Sequence, residues 1–460
     1  MSKHDKNNKA NYSSARIIPV SFLLLILTGT LLLFLPFSTA NGERTSFLTA
    51  LFTSTTSVCV TGLVVVDTFS HWSLFGKIVI LLLIQIGGLG VVTVSSATML
   101  AARRKMSLND RLLLMDAFNL SSLHGLLSFL LKVVKGTFLI EALGALGYMS
   151  VFVPRFGISR GIWYSVFTSV SAFCNAGIDI LGPDSLIGYR SDAVVLTVTS
   201  LLIILGGLGF VVWFDLSSKV MLSVRSKYTP RAFWNRLSEH TKLVLVLTLS
   251  LIFGGAMAVF VLEYSNPETL GNLSLGGKIL NSFFQSVTFR TAGFAAISQK
   301  GLRESTALIG CMLMFIGGSP AGTAGGVKTV TLYIVLKNSY SFIRNRNETV
   351  VFSRGVPAAL IRQATAIIIV SFSVILLFTV LLTAVSGAAL GDSLFEITSA
   401  VCTVGLSRNM TPSLNGVGRV IVIISMFLGR IGPITLALFF RARYSEKNSV
   451  RYADGKFIIG

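Results

Sequence analysis

Four segments of this chain place a phenylalanine ten residues ahead of a glycine, and they recur at nearly constant intervals. Stacked, they read FTSTTSVCVTGL, FTSVSAFCNAGI, FFQSVTFRTAGF and FEITSAVCTVGL, beginning at Phe52, Phe167, Phe283 and Phe395. Their glycines, Gly62, Gly177, Gly293 and Gly405, are 115, 116 and 112 residues apart. Cys59, Cys174 and Cys402 stand three residues before the glycine in three copies, and Arg290 takes that place in the other. One such glycine would be explained by close helix packing in a membrane. Four aligned copies point instead to one structural unit repeated in tandem.

The sequence between the copies says where that unit resides. The chain is 52% hydrophobic and 13% charged, against about 25% charged in soluble domains. Apolar runs near 17–38, 77–101, 129–152, 193–214, 243–263, 305–336, 363–386 and 417–440 each approach the roughly 20 residues that cross a bilayer as a helix. Each repeat then reads as span, short helix, glycine turn, span. The short helix is too brief to cross and must re-enter from one side. Backbone at membrane depth survives only where protein or water covers it, so the four glycine turns are expected to converge on one axis.

The net charge is +20. Lys3, Lys6, Lys9 and Arg16 precede the first run, and Arg103, Arg104, Lys105 and Arg111 follow the second. Basic residues recur after the fourth and sixth runs and in the tail. These loops alternate with poorer ones, which predicts a multi-pass plasma-membrane protein with both termini cytoplasmic. Without a basic soluble domain the charge does not indicate nucleic acid. Ser38 and Ala40 offer a cleavage-like spacing, but the run before them is longer than a signal core and is read as a span. Four scattered cysteines in apolar sequence give neither a disulfide framework nor a zinc site.

The turns themselves carry the chemistry: Val60-Thr61-Gly62, Asn175-Ala176-Gly177, Thr291-Ala292-Gly293 and Thr403-Val404-Gly405. None holds an acidic side chain. A cation passing here would be held by backbone carbonyls, which glycine can turn inward through positive φ. Short-helix C-termini aimed at the axis would add to the attraction.

Together with VTGLVVVD after Cys59, FRTAGF at 289–294 and TVGLSRN at 403–409, these residues resemble the Trk/Ktr/HKT superfamily of potassium transporters, and Ktr-type membrane subunits most. The resemblance covers nearly the whole chain. It implies an all-α integral membrane fold of eight transmembrane helices, built as four tandem helix–pore-helix–filter–helix repeats around a central pore. The repeats would be 1–128, 129–242, 243–362 and 363–460, the last with a cytoplasmic tail. The twelve turn residues named above would be the K+ filter, holding K+ through backbone carbonyls. In plant relatives a serine at the first filter glycine goes with sodium permeation; Gly62 here favours potassium. The resemblance also implies K+ uptake, often with Na+ dependence, a homodimer, and a cytosolic ring of nucleotide-binding regulatory subunits as a separate partner chain.

A glycine cluster follows each turn by 24–29 residues: GGLG at 87–90, GGLG at 206–209, GGSPAGTAGG at 317–326 and GRIGP at 429–433. Only the third is expanded. Gly317, Gly318, Ser319, Pro320, Ala321, Gly322, Thr323, Ala324, Gly325 and Gly326 make helix continuity improbable, since glycine costs about 1 kcal/mol and proline about 3 in a helix interior. The helix should break there and leave an intramembrane loop, either a passive break or a gate beneath the filter; in the relatives the matching loop is a gate. Lys328 sits at its inner edge. A phosphate loop needs glycine directly before the lysine, but Val327 stands there and no strand leads in, so no nucleotide is expected in this chain. Arg430 lies mid-run in the last span, where an arginine costs about 2.5–3.5 kcal/mol. It faces the pore near the loop, or pairs with a loop carbonyl or a buried acid.

Remaining charges are weaker signals. Arg290 is expected to brace a filter turn from behind, and Glu141 to pair with Lys135 or Arg290. Asp67, Asp179 and Asp184 follow turns and either concentrate cations at the mouth or are ordinary loop acids. The segment from Met106 to His124 either lies on the membrane surface or docks the regulator. Two other classes of function fit the sequence less well. A secondary transporter of another solute usually shows inverted repeats, whereas these are parallel. An intramembrane enzyme needs an acid–base pair, yet His4, His71, His124 and His240 all fall in loops or at ends of runs.

Overall fold

The chain was analysed as a computed structural model, which describes residues 3–101, 107–117, 125–226 and 229–432. The first helices of the four repeats are Lys3–Phe34, Leu126–Phe156, Glu239–Glu263 and Ala358–Ser386. Short helices follow at Phe47–Val58, Ile158–Phe173, Leu275–Phe289 and Leu390–Val401. Second helices begin at Leu74, Ala193, Glu304 and Gly416. Many starts are capped by a short polar side chain that accepts an orphan amide N–H: Ser46 from Thr49, Ser73 from Gly76, Asp192 from Val194 and Val195, Ser274 from Gly277, and Asn415 from Gly418.

The second helices differ from the continuous spans expected at 77–101 and 193–214. Leu74–Leu89 and Val91–Ala101 meet at 95° around Gly90, and Ala193–Leu208 and Phe210–Ser226 at 101° around Gly209. Gly90, Gly209 and Gly432 share one backbone conformation, with φ of 86°, 90° and 83°, so the same left-handed glycine ends the straight part of three second helices. In the third repeat Glu304–Phe315 gives way to a loop, and the chain resumes as Thr329–Ile343. By length and composition, three of the described helices can cross a membrane: Ile17–Phe34 within the first helix, Glu239–Glu263 and Ala358–Ser386. Each bent pair, counted as one span, raises the number to five. The expected eight therefore does not follow from helix length and composition: breaks shorten the second helices, and Leu126–Phe156, which carries Lys132, Lys135, Glu141 and Arg155, is not among those that pass.

Each short helix packs on the first helix of its own repeat. Ser54, Ser169 and Ser286 donate to the carbonyls of Ile26, Glu141 and Ile252 at 2.7, 2.6 and 2.7 Å. The helices come that close because Gly29, Gly144 and Gly255 leave the facing site empty; a methyl on Gly144 would lie 2.5 Å from the Ser169 hydroxyl. These serines also correct the alignment of the third repeat. Ser54 and Ser169 precede their glycines by eight residues, Ser286 by seven. In step with this, Phe52, Phe167 and Phe395 are fully buried, but in the third repeat the buried ring is Phe284, while Phe283 is half-buried against Phe253. That repeat is one residue shorter between its buried ring and its glycine.

Glu141 pairs with neither Lys135 nor Arg290. Its Oε1 accepts from Gln85 Nε2 at 3.0 Å, which joins the first helix of repeat 2 to the second helix of repeat 1, while Lys135 is exposed. Cys59, Cys174 and Cys402 are free and buried. Of the segment from Met106 to His124, Ser107 and the helix Leu108–Ala117 are described; Met106 and residues 118–124 lie outside the described residues, as does Pro433.

Candidate ion pathway

The four short helices end at Val58, Phe173, Phe289 and Val401, each four residues before its glycine. The backbone then turns left-handed twice. Val60, Asn175, Thr291 and Thr403 have φ of 55°, 58°, 74° and 50°, and Gly62, Gly177, Gly293 and Gly405 have φ of 102°, 65°, 86° and 95°. Left-handed backbone at a non-glycine residue costs energy and persists only where its surroundings enforce it. Here side-chain hydroxyls of the short helices hold each turn from behind. Thr56 accepts from Gly62 N and Ser399 from Gly405 N, both at 3.0 Å. Ser171 donates to Ile178 O at 2.5 Å and Thr288 to Phe294 O at 2.7 Å.

The four turns close into a ring. A methyl built on Gly62 would stand 2.5 Å from the Ala176 carbonyl oxygen, one on Gly177 2.6 Å from that of Ala292, and one on Gly293 2.6 Å from that of Val404. One on Gly405 would meet the carbonyl of Thr61. Every contact runs to the residue before the glycine of the next repeat, and the fourth returns to the first. Twelve residues, Val60 to Gly62, Asn175 to Gly177, Thr291 to Gly293 and Thr403 to Gly405, are buried in this ring. It presents backbone oxygens at close quarters with no ionised side chain among them, an arrangement suited to a dehydrated monovalent cation.

On one side of the ring lies a cavity of about 140 Å³, lined by all four glycines together with Asp67, Asp179, Gln299 and Ser407. Asp184 is exposed and is not part of it. Asp67 caps a short helix by accepting from Phe69 N and Ser70 N. Asp179 accepts from Leu181 N at 3.2 Å, and burial pushes its carboxyl up to about 6. Gln299 had no signal in the sequence. Its amide exchanges hydrogen bonds of 2.8 and 3.2 Å with Gln285 on the third short helix, and only the fold brings the two together.

On the other side lies the loop between Phe315 and Thr329. Its ends are paired, with Gly317 N donating to Val327 O and Val327 N to Phe315 O, both at 3.0 Å. Its middle is bound to the second helix of repeat 2: Ser319 N to Gly207 O at 2.9 Å, Thr323 N to Gly206 O at 3.1 Å, and Phe210 N to Ala321 O at 2.9 Å. Those carbonyls are available because Gly209 bends the helix away. Thr323 touches the ring directly, accepting from Asn175 Nδ2 at 2.8 Å and donating to Phe173 O at 3.0 Å. Gly325 lies so close to Thr403 and the Cys402 carbonyl that no side chain fits.

Three cations bind loop carbonyls. Arg430 Nη1 donates to Thr323 O at 3.0 Å, and its Nη2 reaches Gly87 O in repeat 1. Lys328 Nζ donates to Ala324 O at 2.7 Å. Arg290 Nη2 donates to Gly317 O at 3.2 Å; it was expected to brace its own turn, and its guanidinium instead joins turn to loop. Thus repeats 2, 3 and 4 hold the loop under the ring, and Arg430 ties it to repeat 1. Pro320, Gly318, Gly322 and Gly326 shape the loop without polar side chains.

The chain matches the family model described as TrkH, cation transport protein, over residues 2–452. It is 38% identical over 449 residues to the Ktr system potassium uptake protein B of Bacillus subtilis, covering 98% of this chain and 97% of the relative. It is 35% identical over 461 residues to the potassium/sodium uptake protein NtpJ of Enterococcus hirae, covering 99% of each. Among solved structures, the potassium transporter TrkH of Vibrio parahaemolyticus superposes with a TM-score of 0.70 over 91% of this chain and 84% of that one, at 15% identity. That last likeness concerns the fold, while the full-length sequence matches concern descent: the chain belongs to the TrkH family of cation transport proteins.

Proposed function

We propose that this chain is the membrane subunit of a potassium uptake system, conducting K+ through the ring of twelve residues and closed by the loop of residues 317–326. The observation that carries this reading is the ring itself: four parallel repeats, in cyclic order, bringing buried backbone carbonyls to one axis with no charged side chain. The relatives' names, potassium uptake for one and potassium/sodium uptake for another, agree with K+ as the ion and make Na+ the second ion to test. The competing reading, a coupled transporter of another solute, fits less well. At the ring a methyl added to any of the four glycines would press on the carbonyl of the neighbouring repeat, which leaves no passage for an organic solute.

In this reading each of the four repeats contributes two crossings, giving eight, with both termini on the basic, cytoplasmic side of the plasma membrane. The loop, Lys328 and Arg430 act as the gate. Two copies form a homodimer, and a cytosolic ring of nucleotide-binding regulatory subunits moves the gate. The test is rubidium-86 uptake by cells lacking their own potassium uptake, supplied with this chain and a Ktr-type regulatory subunit. Accumulation of Rb+, suppressed by excess K+, is expected. No uptake in the presence of an expressed, bound regulator would contradict the proposal.

A further inference from the structure

The helix Thr329–Ile343, which starts where the loop ends, finishes in an unusual corner. Phe342 and Ile343 are 83% and 79% exposed, the two most exposed large apolar side chains among the described residues. Tyr340, just before them, has Lys337 Nζ 5.3 Å and the Arg344 guanidinium carbon 5.5 Å from its ring centre. Arg346 follows. Beside this helix end lies a cavity of about 570 Å³, lined by Asn338, Ser341, Phe342, Arg346, Glu348 and Thr349 among others, within the size range of small-molecule sites. Lys337, Arg344 and Arg346 make no ion pair among the described residues, whereas nearby Arg354 is neutralised by Glu239 at 2.6 Å. Glu348 is the one acid in the cavity lining.

We propose that this corner binds the phosphate headgroup of an anionic phospholipid, with Arg344 and Arg346 on the phosphate and Phe342 and Ile343 against the glycerol backbone at the headgroup–acyl boundary. Depth supports it. The loop lies directly under the ring, at mid-membrane in the pore reading on which this inference rests. Packed along the long apolar helix Ala358–Ser386, the fifteen residues of Thr329–Ile343 reach about 22 Å from there, past the roughly 15 Å half-thickness of the hydrocarbon core and into the headgroup layer. Tyrosine flanked by cations is the usual interfacial anchor, and apolar side chains at a basic surface are the pattern of lipid contact. Because the helix begins at Lys328, which itself holds the Ala324 carbonyl, a lipid fixing one end biases the loop at the other.

The test uses the full chain in nanodiscs of phosphatidylcholine, alone or mixed with phosphatidylglycerol, and reads retained lipid by native mass spectrometry. In a double variant, Arg344→Gln with Arg346→Gln, retention of phosphatidylglycerol should fall about 25-fold, at roughly fivefold per arginine. Removing Lys219 and Arg231, basic residues elsewhere, should leave retention unchanged. Equal losses in both variants would overturn the proposal, as would no loss in either, or displacement of the lipid by glycerophosphate in solution. So would a double variant that keeps its lipid but no longer captures the regulatory subunit, since the surface would then serve a protein. Lipid retention does not depend on whether the loop gates, so deleting the loop tests the pore reading separately.

Discussion

At Gly62 a side chain meets two obstacles. The backbone sits at φ 102°, a conformation that costs a substituted residue about 1–3 kcal/mol, and a methyl would press on the Ala176 carbonyl. Gly62→Ser is therefore expected to deform the ring rather than merely decorate it. Its Rb+-over-Na+ uptake ratio should drop by about tenfold, the equivalent of about 1.4 kcal/mol, in paired tracer measurements. If the ring conducts K+, Asp179, in the wall of the cavity above it, is placed to draw cations to its mouth. Its carboxyl is raised from 3.8 to about 6 by burial, so it is charged above that pH and neutral below it. The half-saturating Rb+ concentration should rise as external pH falls through 6, and Asp179→Asn should show the acid-side value at every pH. A variant that retains the wild-type pH profile would remove Asp179 from the mouth. The aspartates were visible in the sequence as loop acids, but only the fold separates Asp67 and Asp179, which face the cavity, from Asp184, which does not.

Among the elements, the loop depends on groups far away in the chain. Arg430→Ala leaves the carbonyls of Thr323 and Gly87 without a donor, each costing about 1–3 kcal/mol. Flux without the regulator should rise several-fold, and Arg430→Lys, which can reach one carbonyl, should fall between. Unchanged basal flux and unchanged regulation would show that the arginine only stabilises the helix. Gly209→Ala should loosen the same loop from the other side. It strains a left-handed bend and drives a methyl against the Pro320 carbonyl, so raised basal Rb+ leak is expected here too. The helix break at 317–326 was legible because five glycines and a proline are incompatible with a helix. The right-angle bends at Gly90 and Gly209 were not: GGLG is followed by more apolar sequence, and hydrophobicity carries no record of φ. The one-residue contraction in the third repeat was hidden for a similar reason. Phe283 and Phe284 are adjacent, and either satisfies the pattern until the serine hydroxyls show which ring is inside.

At the scale of the whole molecule, the repeat in the sequence already implied a ring, because four equivalent units that cannot stand alone must share an axis. What it could not supply was the cyclic order of the turns, or which of the alternatives open for Arg430 and which partner for Arg290 the fold selects. Several of the loop's contacts join residues more than 100 positions apart, such as Asn175 to Thr323 and Arg430 to Thr323. They make the position of the loop a property of the assembled bundle rather than of the loop alone. The most direct measurement is tracer flux into proteoliposomes containing the chain with residues 318–325 deleted, without any regulatory subunit. The account predicts a steady Rb+ leak that still excludes Na+, since all twelve ring residues remain and the hydroxyls of Thr56, Ser171, Thr288 and Ser399 still hold the turns from behind. A deletion that folds and inserts yet conducts no more than the intact chain, or passes Na+ as readily as Rb+, would contradict a selective ring closed by this loop.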